Sequence, residues 1–167
     1  HPCDMAVGLT HAQMDIYAAT TSTYNRGISS IKNNDDVNET FVTEKINIVP
    51  LNDHLKEDRK VSFIKIDVQG FEKDVLAGAW KLIERDRPVV VFEHANIYYE
   101  KPIEARKYIS DGFCSLKYDL YLICQGHDKF QYEFLEYIDF AESTKVDGDI
   151  LAIPKSEPLP IDISIHL

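Results

Sequence analysis

The segment from residue 61 to residue 93 constrains the fold more than any other part of the chain. It begins with a mostly apolar, β-rich run from Val61 to Val68. The next apolar residues recur at spacings of three and four, which places them in one stripe along a helix from Phe71 to about Arg85. Pro88 ends this helix because proline lacks a backbone N–H, and a second apolar run begins there. The segment predicts two buried, parallel strands joined by a helix.

Shorter elements are expected on both sides of this unit. Upstream, we expect strands over residues 5–9 and 14–19 joined as a hairpin, and a run over residues 41–49 that Pro50 ends. Downstream, we expect a helix from Pro102 to Ser110 followed by Gly112, and strands at Tyr118–Cys124 and Asp149–Ile153. The order of elements predicts an α/β fold with a mostly parallel sheet and an antiparallel edge strand. Residues 131–140 are ambiguous, and the tail from Pro154 is expected to be irregular.

Polar residues follow both apolar strands, where ligands bind in open α/β sheets. Asp67, Glu93 and His94 are therefore candidate catalytic residues, since carboxylates and imidazole can accept a proton from a hydroxyl group. Two roles stay open for Asp67, a site carboxylate or an N-cap of the following helix. Glu93 and His94 point to opposite faces unless the strand has ended before them.

Four further positions around these loops are candidates for substrate binding: Gln69, Gly70, Glu72 and Asn96. Glu72 lies in the first turn of the predicted helix, where it could instead complement the helix dipole. Gln69 could bind a ligand or simply close the turn. The His, Asp and Glu residues do not cluster at metal-ligand spacing, so we predict no metal.

Composition limits the partners of the chain. A net charge of -10 argues against a nucleic acid as the main partner, because phosphate binding needs clustered Lys and Arg. No apolar run approaches the roughly 20 residues that span a bilayer, so no membrane partner is expected. The three cysteines form no CxxC pair, and their odd number suggests reduced thiols and a cytoplasmic location.

The run FIKIDVQGFEKDVLAGA, from Phe63 to Ala79, resembles the signature of FkbM-type methyltransferases, I-K-I-D-V-E-G-x-E-x-x-V-L-x-G-A. Gln69 departs from it, because the family commonly has Glu there. Residues 49–55 and 88–93 are similar to the flanking segments of the family, and the resemblance covers about residues 5–153. It implies a seven-stranded Rossmann-like methyltransferase sheet, S-adenosylmethionine as methyl donor, and O-methylation of a hydroxylated small molecule or sugar.

The resemblance also implies that part of the domain is not in this sequence. The family holds its donor with a glycine-rich loop after the first strand and an acidic residue after the second, and no G-x-G pattern occurs in the chain. We therefore expect residues 1–154 to form a partial methyltransferase domain without the first two strands, and residues 155–167 to form a tail. Weak donor binding, an exposed edge at the Phe63–Val68 strand and homo-oligomers are expected. The alternative is a non-catalytic fragment or interaction domain.

Overall fold

The structure, a computed structural model, describes residues 3–19, 29–30, 41–55, 58–125, 132–136, 140–141 and 146–155. Within these ranges the chain forms a mixed α/β fold with two sheets. The strands are β1 (Met5–Val7), β2 (Ala12–Ala19), β3 (Ser29–Ser30), β4 (Phe41–Val49), β5 (Phe63–Ile66), β6 (Val89–His94), β7 (Tyr118–Gln125), β8 (Tyr132–Glu136) and β9 (Gly148–Pro154). The helices are α1 (Leu51–His54), α2 (Glu72–Ala77), α3 (Trp80–Asp86) and α4 (Pro102–Ser115), with a single 3₁₀ turn at Asn96–Tyr98.

The first sheet has the order β1-β4-β2-β3, so the predicted hairpin of β1 and β2 is wrong. β4 lies between them, parallel to β1 and antiparallel to β2. The long β4 pairs with β2 along the whole length of β2, from Ala12 opposite Ile48 to Ala19 opposite Phe41. A hairpin of β2 with the three-residue β1 would form far fewer hydrogen bonds than the pairing of β2 with β4. This difference favours the order in which β4 lies between β1 and β2.

The second sheet has the order β5-β6-β9-β7-β8. β5 and β6 are adjacent and parallel, from Phe63 opposite Val89 to Ile66 opposite Phe92, as the sequence predicted. The right-handed sense of their connection stays a prediction. The expectation of a mostly parallel sheet is wrong, because antiparallel β9 lies inside it, between β6 and β7. β9 can occupy that place because its residues from Ile150 to Ile153 are apolar and buried, so both of its faces are covered.

β5 lies at the edge of this sheet among the described strands, not at its centre. Only its Ile66 is buried, and Phe63 is 57% exposed. The exposed apolar edge agrees with the expectation for the Phe63–Val68 strand. The described strands divide between two sheets, so a single seven-stranded Rossmann-like sheet stays a prediction.

The apolar stripe after β5 packs into the core as predicted. All five of its central members are buried: Val75, Leu76, Ala79, Leu82 and Ile83. All of these except Leu82 belong to a core that also contains Ile66, Val90 and Phe92 of the sheet and Phe113 of α4. The helices thus cover one face of the second sheet, and they connect the carboxyl end of β5 to the amino end of β6.

The single helix expected from Phe71 to Arg85 is wrong, because α2 ends at Ala77 and α3 begins at Trp80. Tertiary contacts explain the interruption. The carbonyl oxygen of Gly78 accepts a hydrogen bond from the Asn52 backbone N–H at 2.9 Å, and the Asn52 side-chain oxygen accepts one from the N–H of Leu82 at 3.0 Å. The start of α3 is therefore held by α1 rather than by its own preceding turn.

α4 begins with Pro102 in its first turn, as predicted, but continues through Gly112 to Ser115. The predicted helix end at Gly112 is wrong. Gly112 serves close packing instead, since a β-carbon there would lie 2.4 Å from the ring of Trp80. The ambiguous segment 131–140 contains β8, and the tail from residue 156 lies outside the described residues. None of the helices in the described ranges is long and apolar enough to cross a membrane.

Candidate functional site

The parallel pairing of β5 and β6 brings two predicted site residues together. Ile66 lies opposite Phe92, so Asp67 and Glu93 follow directly at the same edge of the sheet. These two residues are called the acid pair below. Asp149 of β9 lies opposite Glu93 on the other side of β6. The Asp67 side chain is exposed and Glu93 is half-buried. Three carboxyl groups therefore border the carboxyl ends of these parallel strands, where α/β sheets bind ligands.

Lys65 partly compensates the negative charge of this edge. Its Nζ lies 2.8 Å from Oδ1 of Asp149 and 3.7 Å from Oδ2 of Asp67. Partial burial works against the charge of Lys65, but the hydrogen bond and charge of Asp149, together with Asp67 and Glu93, raise its pKa. Lys65 is thus a cation fixed among carboxylates, two residues before Asp67 on the same face of β5.

Glu93 holds its proton to higher pH than an ordinary glutamate. Burial raises its pKa first, and the neighbouring Asp67 carboxyl group raises it further through its charge and as a hydrogen-bond acceptor. The charges of Glu72 and Asp149 act in the same direction. Once ionised, a carboxylate of raised pKa is a stronger base than a solvated one.

Glu72 fixes the loop between β5 and α2. Its side chain is buried, and its carboxylate accepts hydrogen bonds from the backbone N–H of Val68 at 3.2 Å and of Gly70 at 3.0 Å. The N-cap residue of α2 is Phe71, without a side-chain capping bond, so Asp67 does not cap this helix. The oxygens of Glu72 thus already accept hydrogen bonds from the loop. A ligand-binding role for Glu72 stays a prediction.

Gln69 and Gly70 give this loop its shape through left-handed backbone conformations, with φ of 49° and 95°. A β-carbon at Gly70 would also lie 2.6 Å from the β-carbon of Tyr98, so only glycine fits. Gln69, two residues after Asp67, is partly exposed. The roles of both residues in substrate binding stay predictions.

His94 lies apart from the acid pair, completely buried on the helix-covered face of the sheet. Its ring stacks on Tyr99 with centroids 5.0 Å apart and meets Phe140 edge-on at 5.6 Å. Burial, and then the charge of Arg106, lower its pKa to about 4, so the imidazole is neutral at neutral pH. Neither ring nitrogen has a hydrogen-bond partner within the described part of the chain. The structure therefore does not place His94 with Asp67 and Glu93.

Asn96 connects the end of β6 to the start of β9. Its backbone N–H donates to Oδ1 of Asp147 at 2.6 Å, and its side-chain amide donates to the carbonyl of Val146 at 3.1 Å. Its side-chain oxygen accepts a hydrogen bond from the buried Arg106. Substrate binding by Asn96 stays a prediction.

Three residues around the site were missed from the sequence: Lys65, Asp149 and Arg106. Period-2 alternation could have placed Lys65 on the face of Asp67. The pairing of β9 with β6, which carries Asp149 to the site, had no local signal.

The glycine turn after β5 does not offer the contacts that a methyl donor of the expected kind needs. Such a donor needs free backbone N–H groups in a tight glycine turn. In the glycine turn at Gly70, after β5, the N–H groups of Val68 and Gly70 are bonded to Glu72 instead. Among the described residues, no three His, Cys, Asp or Glu side chains are grouped so that they could hold a metal ion.

Comparison with known families places the chain in a methyltransferase family. The family model described as the methyltransferase FkbM domain matches residues 3–140. No curated protein and no solved structure matches the chain. The matched region contains both loops of the acid pair, whereas Asp149 lies beyond it.

Proposed function

We propose a function from one premise: this chain belongs to the methyltransferase FkbM domain family. The proposed activity is S-adenosylmethionine-dependent transfer of a methyl group to a hydroxyl of a small molecule or sugar. The observation that supports it is the acid pair of Asp67 and Glu93 at the carboxyl ends of two adjacent parallel strands. The partner is then a small hydroxylated acceptor, not a nucleic acid.

The acid pair suits the acceptor side of such a reaction. A hydroxyl group is a weak nucleophile at neutral pH, and a positioned base that takes its proton can accelerate attack by 10²–10⁴-fold, roughly. Glu93 is the proposed base because its pKa is raised. Asp67, which is more exposed, would orient the acceptor hydroxyl. Lys65 would keep this edge from becoming too negative as Glu93 ionises.

S-adenosylmethionine supplies the electrophilic methyl group in this chemistry. Because the N–H groups of the Gly70 turn are bonded to Glu72, no contact to the donor is assigned in the proposed reaction. What the described residues offer is the removal of a proton and the orientation of the acceptor.

Methyl transfer by the natural protein tests the proposal. Labelled S-adenosylmethionine and a panel of hydroxylated metabolites and sugars would identify an acceptor by mass spectrometry. With that acceptor, Glu93→Gln should lower turnover by at least about 10²-fold, the lower end for a general base. Asp67→Asn should also lower turnover, because the acceptor hydroxyl would lose its orientation. The matched control is Asp119→Asn, which removes a carboxylate whose ion-pair partner is Lys155 at 2.9 Å. Unchanged turnover in both site variants would refute the assignment.

The second candidate is a non-catalytic interaction domain that keeps this part of the fold. It is favoured by one observation, the occupied N–H groups of the glycine turn. Isothermal titration with S-adenosylmethionine separates the candidates. An enzyme must bind the donor, whereas an interaction domain need not. No binding by the natural protein would favour the interaction domain, and low-micromolar binding would favour the enzyme.

A further inference from the structure

A chain of contacts connects the segment after β6 to the loop that carries Asp67. The hydroxyl of Tyr99 donates a hydrogen bond to Oε2 of Glu72 at 2.5 Å. Glu72 in turn accepts from the N–H groups of Val68 and Gly70, on either side of Gln69. The loop is therefore held from outside itself by a residue 27 positions further along the chain.

We propose that Tyr99 is a positioning residue, which acts through Glu72 to hold the loop of residues 67–71 so that Asp67 lies beside Glu93. Its consequence for catalysis rests on the proposed function. Its consequence for the geometry of the acid pair does not, so the two can fail separately.

Glu72 needs the tyrosine because its carboxylate is buried. A buried carboxylate is stable only when hydrogen bonds replace its lost hydration, and a charge-assisted bond from a hydroxyl is among the strongest available. The hydroxyl of Tyr99 adds a side-chain donor to the two backbone N–H groups that already bond to this carboxylate. Losing the Tyr99 bond would weaken the hydrogen bonds that hold Val68 and Gly70 to Glu72.

The loop itself cannot keep its shape unaided. Gln69 has a φ of 49°, a left-handed conformation that a residue with a side chain adopts at a cost in free energy. Gly70, with a φ of 95°, lies against the backbone of Tyr98. Such a turn persists when surrounding contacts hold it, and in this loop those contacts come from Glu72 and the 3₁₀ turn.

Tyr99 is itself held in one orientation. Its ring stacks on the buried ring of His94, with centroids 5.0 Å apart and planes 23° apart. Burial and the negative charge of Glu72 raise the pKa of Tyr99, so the hydroxyl keeps its proton and remains a donor. The buried ring of His94 therefore supports the ring of Tyr99 by stacking, on the opposite face of the sheet from the acid pair.

Tyr99→Phe tests the proposal, because it removes the hydroxyl and keeps the ring. The readout is the titration of Glu93, followed by NMR of ¹³C-labelled carboxyl groups in the natural protein. The groups that face Glu93 are Asp67 and Lys65, with Asp149 and Glu72. Loosening the loop should move Asp67 away, so the pKa of Glu93 should fall towards its ordinary value. The amides of Val68 and Gly70 should also exchange at least tenfold faster than in the native protein.

Tyr118→Phe is the matched control. It removes another buried tyrosine hydroxyl, which donates to the carbonyl of Pro88 at 2.9 Å at the opposite end of β6. It should lower overall stability and leave the titration of Glu93 unchanged. If Tyr99→Phe does not fold, His94→Leu removes the stacked ring and should shift Glu93 in the same direction.

An unshifted Glu93 with native protection of Val68 and Gly70 in the folded variant would overturn the proposal. That result would leave the methyltransferase proposal intact, provided that Asp67→Asn still lowers turnover. If methyl transfer is never found, a shifted Glu93 would still establish that Tyr99 positions the loop. With an acceptor in hand, Tyr99→Phe should also move the acidic limb of the pH–turnover profile to lower pH by the same amount as Glu93.

Discussion

Replacing Gly78 by alanine tests the contact that separates α2 from α3. Gly78 has a φ of -78° and a ψ of -1°, an ordinary right-handed conformation, so alanine would suffer no backbone strain. Considered alone, the change favours a helix by up to about 1 kcal/mol. The surroundings oppose it, since the new β-carbon would lie 2.0 Å from the carbonyl oxygen of Gly8 and 3.3 Å from Cα of Pro50.

The overlap should outweigh the gain in helix propensity. An unstrained contact requires about 3.5 Å, so the Gly8 carbonyl or the Gly78 backbone would have to move by more than about 1 Å. Both neighbours are backbone atoms, and no side-chain rotation can relieve them. Overpacking of this kind destabilises by about 1–3 kcal/mol, and the bonds that Asn52 makes to Gly78 and Leu82 would be strained as well. We expect a net loss of about 2 kcal/mol.

Urea unfolding of the natural protein and the variant measures this loss. Gly112→Ala is the comparison, because there the nearest atoms belong to the ring of Trp80, a half-buried side chain that can turn away. It should be destabilised less than Gly78→Ala. If Gly78→Ala proved as stable as the natural protein or more stable, then Gly8 does not approach Gly78 and the helix is continuous after all.

Three further substitutions can be measured by the same unfolding experiment. Leu76→Ala should lose about 2–5 kcal/mol because Leu76 is completely buried, and a loss below about 0.5 kcal/mol would mean that the helix face is misassigned. Hydrogen bonds from Arg85 at 2.7 and 2.8 Å lower the pKa of Asp86 to about 2. The ion pair of Asp86 therefore stabilises the fold above pH about 4, and this stabilisation is lost as the pH falls towards 2. Asp86→Asn should lower the free energy of unfolding by about 1–2 kcal/mol at neutral pH, allowing for the partial exposure of Arg85. It should also weaken the fall of stability between about pH 4 and 2. The pH dependence that Glu93 contributes has the opposite direction. Because its pKa is raised, stability falls as the pH rises through that pKa, so Glu93→Gln should stabilise the protein at pH 7–8 and not at pH 4. Equal stability of the variant and the natural protein across this range would contradict the raised pKa.

The sequence by itself determined the part of the fold whose signals are local. The apolar stripe from Val75 to Ile83 had to face a core, since exposing it would forfeit burial free energy, and the structure buries it. The two apolar runs around it had to be strands, and a helix between them favours parallel pairing. Parallel pairing then places the ends of both strands at one edge, which is why the proximity of Asp67 and Glu93 could be predicted.

Tertiary structure decided what depends on distant partners. Gly78 interrupts a helix because Gly8 and Asn52 approach it, and nothing near Gly78 in the sequence encodes that approach. In the same way, β4 separates β1 from β2, and β9 carries Asp149 to the site from the far side of β6. The alternation of a strand shows that Glu93 and His94 face opposite sides, but only packing decides which side is covered by helices. Local sequence patterns determine the conformation of a segment and which of its faces is buried. The packing of the whole chain determines which segments lie next to it in space.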